Sequence, residues 1–234
     1  MKGLLALLRW DLAMQYRYGF WVAGLVVTVM WVALLQPLSP AQRELWLPCL
    51  LYLDIGSLGL MFVAGVLFFE RRQGVLDALV VTPLRTSTWL ASKMLSLTLL
   101  ATVVACALVV LTVGVHVAWP WLVPGFALVA ALYTLLGFLM ASRFGSVSSF
   151  LVALSIAGIP FALPLADYFG VWRHPLLWLN PAQPTAVLIW RCFRPGSAAE
   201  LAAALGLTLF WLAVAFRLGV YVFHRRVSWR RGAA

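Results

Sequence analysis

The chain has 234 residues, 64% of them hydrophobic and 10% charged, with a formal net charge of +10 and a mean hydropathy of +0.99. A soluble domain carries about a quarter charged residues, so this composition excludes one. Lys and Arg are scattered between apolar stretches rather than gathered in a patch, which points to lipid headgroups as their partner and not to nucleic acid.

Apolar runs of about 20 residues recur along the chain, each long enough at about 1.5 Å per residue to cross a hydrocarbon core of about 30 Å. Alternating strands of about ten residues, the mark of a membrane barrel, are not seen. The expected fold is therefore an all-α membrane protein, a single transmembrane domain over 1–234.

The first segment, MKGLLALLRWDLAMQYRYG, begins like a signal peptide. Arg9 and Asp11 interrupt its leucine-rich run and no small-residue cleavage site follows, so it reads as retained. Lys2 and Arg9 share one side of a helix, Asp11 and Gln15 another. That pattern predicts an interfacial helix over 1–18, half in lipid and half against protein. Six spans follow, over about 19–36, 45–69, 94–115, 120–142, 147–168 and 200–223. Pro160 and Pro164 either break the fifth near its outer end or simply kink it, the kink being the plainer reading. Trp46, Trp89, Trp119 and Trp121 fall near span ends, as an aromatic belt requires.

With a cytoplasmic amino terminus, thirteen of the seventeen Lys and Arg residues lie inside, leaving only Arg43, Arg173, Arg191 and Arg194 outside. The positive-inside rule thus puts both termini in the cytoplasm of a cell (inner) membrane protein. Cys49, Cys106 and Cys192 have neither disulfide nor metal-ligand spacing. His116, His174 and His224 are isolated, which rules out a His-Glu-x-x-His zinc site. Asp54, inside the second span, should face protein or water because an ion in lipid costs at least about 2.5–3.5 kcal/mol. Two readings stand for it: a polar spot in a pathway or a packing partner for Arg191 or Tyr133, and a place near the outer headgroups.

The densest internal charge lies at 70–93, ERRQGVLDALVVTPLRTSTWLASK, on the cytoplasmic side between spans two and three. Glu70, Arg71 and Arg72 end a span, and Gly74 frees the backbone to turn. Val75, Leu76, Leu79 and Val80 then make an apolar stripe at helical spacing, with Asp77 on another side. Thr82-Pro83 stops this helix, Leu84 follows, and Thr86 to Thr88 are placed to cap the next one, which carries Lys93. The residues alone leave two possibilities open: a handle gripped by a cytoplasmic partner, or a loop helix resting on headgroups.

Glu70, Gly74, Leu76, Leu79, Thr82-Pro83-Leu84 and Lys93 resemble the hallmark of ATP-binding-cassette (ABC) permeases of the second export type, with Asp77 in place of the more usual Glu. The resemblance covers the chain in outline, including a Pro-rich stretch, LNPAQPTAVLIWR, before the last span. It implies that 74–84 is a coupling helix docking on a separate ATPase subunit. It further implies that 170–197 is an extracellular region whose short re-entrant helices, over 175–195, cap the pathway. Glu70 would pair with a nearby base, Arg71 or Arg72 being at hand. The partners implied are two ATPase subunits, a second copy of this chain or a paralogue, and the bilayer. No cofactor is expected on this chain, ATP and Mg belonging to the ATPase.

The sequence holds only two lysines and no Walker A loop, so the energy source must be another polypeptide. An aromatic-rich, weakly charged interior favours an amphipathic or apolar cargo. The alternatives are a haem-exporter-type permease, against which the compact ERRQG argues, and a scaffold or sensor that transports nothing.

Overall fold

In lipid a backbone has no hydrogen-bond partner except protein, and the apolar runs meet that demand as helices. The computed structural model describes residues 2–75, 85–115, 117–194 and 196–231, the side chains of Lys2 and of 225–231 excepted. Among the described residues there are eight α-helices and no strand. They are α1 (Lys2–Arg17), α2 (Phe20–Leu35), α3 (Pro40–Arg72), α4 (Thr86–Thr112), α5 (Trp119–Ala141), α6 (Val147–Tyr168), α7 (Ala182–Trp190) and α8 (Ala198–Arg231), with a 3-10 turn at Pro175–Leu179 before α7.

Five of these, α3, α4, α5, α6 and α8, are long and apolar enough to cross a membrane alone. The expected first span is shorter. α2 has 16 residues, about 24 Å, and meets α1 at a 60° bend. Gly19, at φ 75, makes the corner. Tyr18 stacks on Phe69 of α3 at 5.0 Å and accepts a hydrogen bond from Gln73, which fixes the bend against the end of α3. α1 therefore lies off the line of α2.

Local sequence explains the helix ends. Ser39 and Gln42 form a reciprocal capping box at the start of α3, with Pro40 in the first turn. Beyond the other end of α3, Gly74 takes φ +70, a conformation that costs a side chain with a Cβ. The cap of α4 differs from expectation. Arg85 occupies the N-cap with no side-chain bond, and Thr86 to Thr88 lie inside the first turn.

α6 continues through both prolines instead of breaking. Pro164 has no N–H to offer the carbonyl of Pro160, and Asn180 donates to that oxygen from the neighbouring loop at 2.6 Å. A side chain outside the helix thus satisfies the group the proline frees. The Tyr52 hydroxyl of α3 donates to the next carbonyl, that of Phe161, also at 2.6 Å.

α3 and α5 form the central seam. A Cβ on Gly59 would meet Tyr133 and the Thr134 backbone at 2.9–3.0 Å, and one on Gly137 would meet the Leu60 backbone at 2.7 Å. Only glycine allows the two helices this close an approach, the device by which packing replaces the hydrophobic effect in a bilayer. α4 packs on the seam from one side, with α1 and α2 against it, while α8 covers another. α6 is mostly exposed, Val152, Ile156 and Ile159 all facing outward.

Within the Pro-rich region α7 is nine residues long, about 14 Å, and every one of them is buried. It touches α3, α5, α6 and α8, so it is packed into the bundle, and at that length it is too short to cross a bilayer. The aromatic belt holds in part. Trp46 and Trp121 are exposed near helix ends, whereas Trp89 is buried in the core.

Candidate functional site

α3 ends and α4 begins at one end of the bundle, where α1 crosses both. Glu70 occupies the last turn of α3, Lys93 the second turn of α4, and Asp11 the middle of α1. The Lys93 ammonium bridges the two acids, donating to Asp11 Oδ1 and pairing with Glu70 Oε1. Ser92 donates to the other Asp11 oxygen at 2.5 Å. All three ions are withdrawn from solvent, their side chains 3–10% exposed.

Such a cluster is stable only because each charge has a partner. Desolvating one ion costs several kcal/mol, and the Coulomb attraction offsets that only in good geometry. Aromatic packing holds the lysine in place. Its Nζ lies 5.7 Å from the Trp89 ring centroid, and Trp89 stacks on Phe223 of α8 at 4.5 Å and meets Phe138 of α5 edge-on. Five helices, α1, α3, α4, α5 and α8, thus converge on one ionic centre.

The structure joins Glu70 to Lys93, two of the motif positions singled out from sequence. It does not join Glu70 to Arg71 or Arg72, the pairing that the resemblance had suggested. Successive helical residues point about 100° apart, so Arg71 leaves α3 on a different side from Glu70. It donates to the carbonyls of Phe144, at 2.5 Å, and Ser142, at 3.2 Å, just past the end of α5, and lies over the Phe68 ring. A cation there meets the negative end of the helix dipole. Arg72 is exposed and Val75 half-buried. Leu76, Asp77, Leu79, Val80, Thr82, Pro83 and Leu84 lie outside the described residues.

Asp11 was not foreseen as a partner of Lys93. The signal was present, because Asp11 and Gln15 interrupt an apolar helix at i,i+4, and both prove buried against α4. What the sequence did not hold was the identity of the helix opposite.

Asp54 is buried and accepts from the Trp31 indole at 3.1 Å, so it joins α3 to α2. Neither partner offered for it from sequence takes it up. Arg191 pairs with Glu200 at the start of α8, and the Tyr133 hydroxyl bonds to that of Tyr52 at 2.6 Å. Asp54 is thus a packing contact between two helices.

Among the described residues no group of three or more His, Cys, Asp and Glu side chains is arranged to hold a metal ion. Cys49, Cys106 and Cys192 are free thiols. His174 accepts from the Leu176 N–H and caps the 3-10 turn, while His224 is exposed.

Helices of membrane length around a glycine seam, with a buried ionic centre at one end, define a multi-pass helical membrane protein. Comparison with known proteins narrows the class. The chain belongs to the fluoroquinolones export permease protein family, whose model matches residues 2–231. It is 34% identical over 194 residues to the fluoroquinolones export permease proteins of two Mycobacterium tuberculosis strains, CDC 1551 / Oshkosh and ATCC 25618 / H37Rv, the match covering 82% of each chain. The expectation of an export permease is met at the level of the family.

Proposed function

We propose that this chain is the membrane subunit of an ATP-driven exporter of the second ABC export type, moving drugs of the fluoroquinolone kind named for its relatives. The observation that carries the proposal is the ionic centre. The two flanks of the 70–93 island, Glu70 and Lys93, are tied to each other and to α1, so a force applied to the island moves three helices as one body. Residues 74–84 are the natural point of application, since the sequence places apolar residues at 75, 76, 79 and 80, the spacing of a helical stripe suited to a groove.

In this reading both termini and the island face the cytoplasm, where two ATPase subunits bind ATP and Mg and grip the islands of two membrane subunits. The second membrane subunit is another copy or a paralogue, and the exposed face of α6 is available to it. Differential affinity of the ATPase states for the island is what drives the helices between conformations. α7, buried at the other end, caps the pathway.

The test has two parts. Cells expressing the chain with its ATPase should accumulate less of a fluorescent fluoroquinolone than cells without it. Replacing Leu76 and Leu79 together by Asp should abolish that difference and the co-purification of the ATPase, while membrane insertion persists. Undiminished export by the double variant, or surface labelling that places 70–93 outside the cell, overturns the coupling. Unchanged accumulation with an intact complex overturns the cargo alone.

A further inference from the structure

The ionic centre does not balance. Asp11 and Glu70 supply two negative charges and Lys93 one positive, and no other charged side chain among the described residues lines the space beside them. That space is a cavity between α1, α3 and α4, with room for a water-sized occupant and not for a drug. Two oxygens of its lining residues, Glu70 Oε2 and Gln15 Oε1, make no hydrogen bond of normal geometry, although the Trp89 indole stands close enough to the Glu70 carboxylate to interact with it. Both residues are more than nine-tenths buried, Gln15 at 2% and Glu70 at 8% exposure. Tyr18, Gln73 and Ser96 add three more oxygen-bearing side chains to the lining. Leaving an acceptor and a surplus charge unmatched in such a place is costly.

We propose that this cavity is a binding site for a monovalent alkali cation, Na+ or K+, held by Glu70 Oε2 and Gln15 Oε1 with the neighbouring hydroxyl and amide oxygens. Oxygen ligands of this kind suit hard cations. A single positive charge brings the centre to neutrality, whereas a divalent ion would overshoot. Lys93 is already engaged, by the other oxygen of Glu70 and by Oδ1 of Asp11. The bound ion would fasten α1 to α3 and α4 at the root of the island. The inference needs no ATPase and stands or falls apart from the transport reading.

The experiment is thermal unfolding of the purified full chain in detergent, in NaCl or KCl against choline chloride at equal ionic strength and pH. Screening is then constant, and choline is too large for the cavity. The midpoint should rise saturably with Na+ or K+, by about 3–6 °C at ten times the dissociation constant. Glu70→Gln, which removes the charge and keeps the shape, should abolish the rise. If that variant does not fold, Gln15→Met decides, and it should weaken the response at least tenfold in cation concentration. Equal midpoints in all three salts overturn the site. So does a cation response that survives both substitutions. A midpoint that follows pH alone and loses that dependence in Glu70→Gln also overturns it, and assigns the place to a proton.

Discussion

At the end of the bundle where α3 meets α4, three ions are withdrawn from solvent together: Asp11, Glu70 and Lys93. In the opposite half no buried charges are clustered among the described residues; apart from Asp54, which takes the Trp31 indole as its donor, the contacts there are between neutral groups. Tyr52 and Tyr133 bond to each other, Tyr52 reaches the carbonyl of Phe161, and Asn180 reaches that of Pro160. The contrast teaches what each half can tolerate. Neutral hydrogen bonds between membrane helices are worth about 0.6–1.7 kcal/mol each, so that half can lose a contact and persist. An ion deprived of its partner leaves a bare charge, at a cost of about 3–5 kcal/mol. The ionic half is therefore suited to move as a unit, and the neutral half is free to rearrange.

The largest effect should come from breaking the ionic half. Lys93→Met leaves two facing carboxylates and should lower stability in detergent by about 3–5 kcal/mol, read as a fall in the thermal midpoint. Adding Asp11→Asn and Glu70→Gln to it should recover most of that loss, because no charge then stays buried. A single Lys93→Met variant as stable as the parent would remove the distinction between the halves.

The seam that joins the halves comes next. Gly137→Ala puts a Cβ 2.7 Å from Leu60 Cα and 2.8 Å from its carbonyl oxygen, neither of which can swing aside. Overpacking of this kind costs about 1–3 kcal/mol, and faster trypsin cleavage of the detergent-solubilised protein would register it. No change in protease resistance would mean that α3 and α5 stand further apart.

Smaller effects belong to the neutral half. Tyr52→Phe removes two hydrogen bonds, one to Tyr133 and one to the Phe161 carbonyl, and should cost about 1–2 kcal/mol in the thermal midpoint. Asn180→Ala uncovers the Pro160 carbonyl and should cost about 0.6 kcal/mol, with faster hydrogen exchange around 160–164. If either cost matched that of Lys93→Met, the neutral half would be as brittle as the ionic one.

Most of the helices were readable from the residues. Runs of about 20 apolar positions specify spans whatever surrounds them, since a backbone in lipid can satisfy itself only as a helix or a closed barrel. α3, α5 and α6 end within about five residues of their expected limits. Two places were not settled by the residues, for a common reason. Pro160 and Pro164 left a break or a kink open because a proline frees a carbonyl, and the rescue by Asn180 comes from twenty residues away. Trp89 read as belt because it stands near a span end, yet Phe223, from the far end of the chain, covers it.

The candidate site divides along the same line. Glu70, Gly74 and Lys93 were marked by the family resemblance of the island, and Asp54 by its chemistry. Who faces whom was not marked: Lys93 between Asp11 and Glu70, Arg71 on the carbonyls past α5, Trp31 on Asp54. Composition and periodicity are properties of a stretch of chain, and they determined that this protein lives in a membrane, how often its chain is drawn into helices, and where its polar island falls. The pairing of buried charges depends on which helices pack side by side, and that order is set by close contacts such as Leu60 against Gly137. An ion in a low-dielectric interior takes whichever partner packing brings within reach, so only the tertiary structure could choose Lys93 over the two arginines adjacent in sequence.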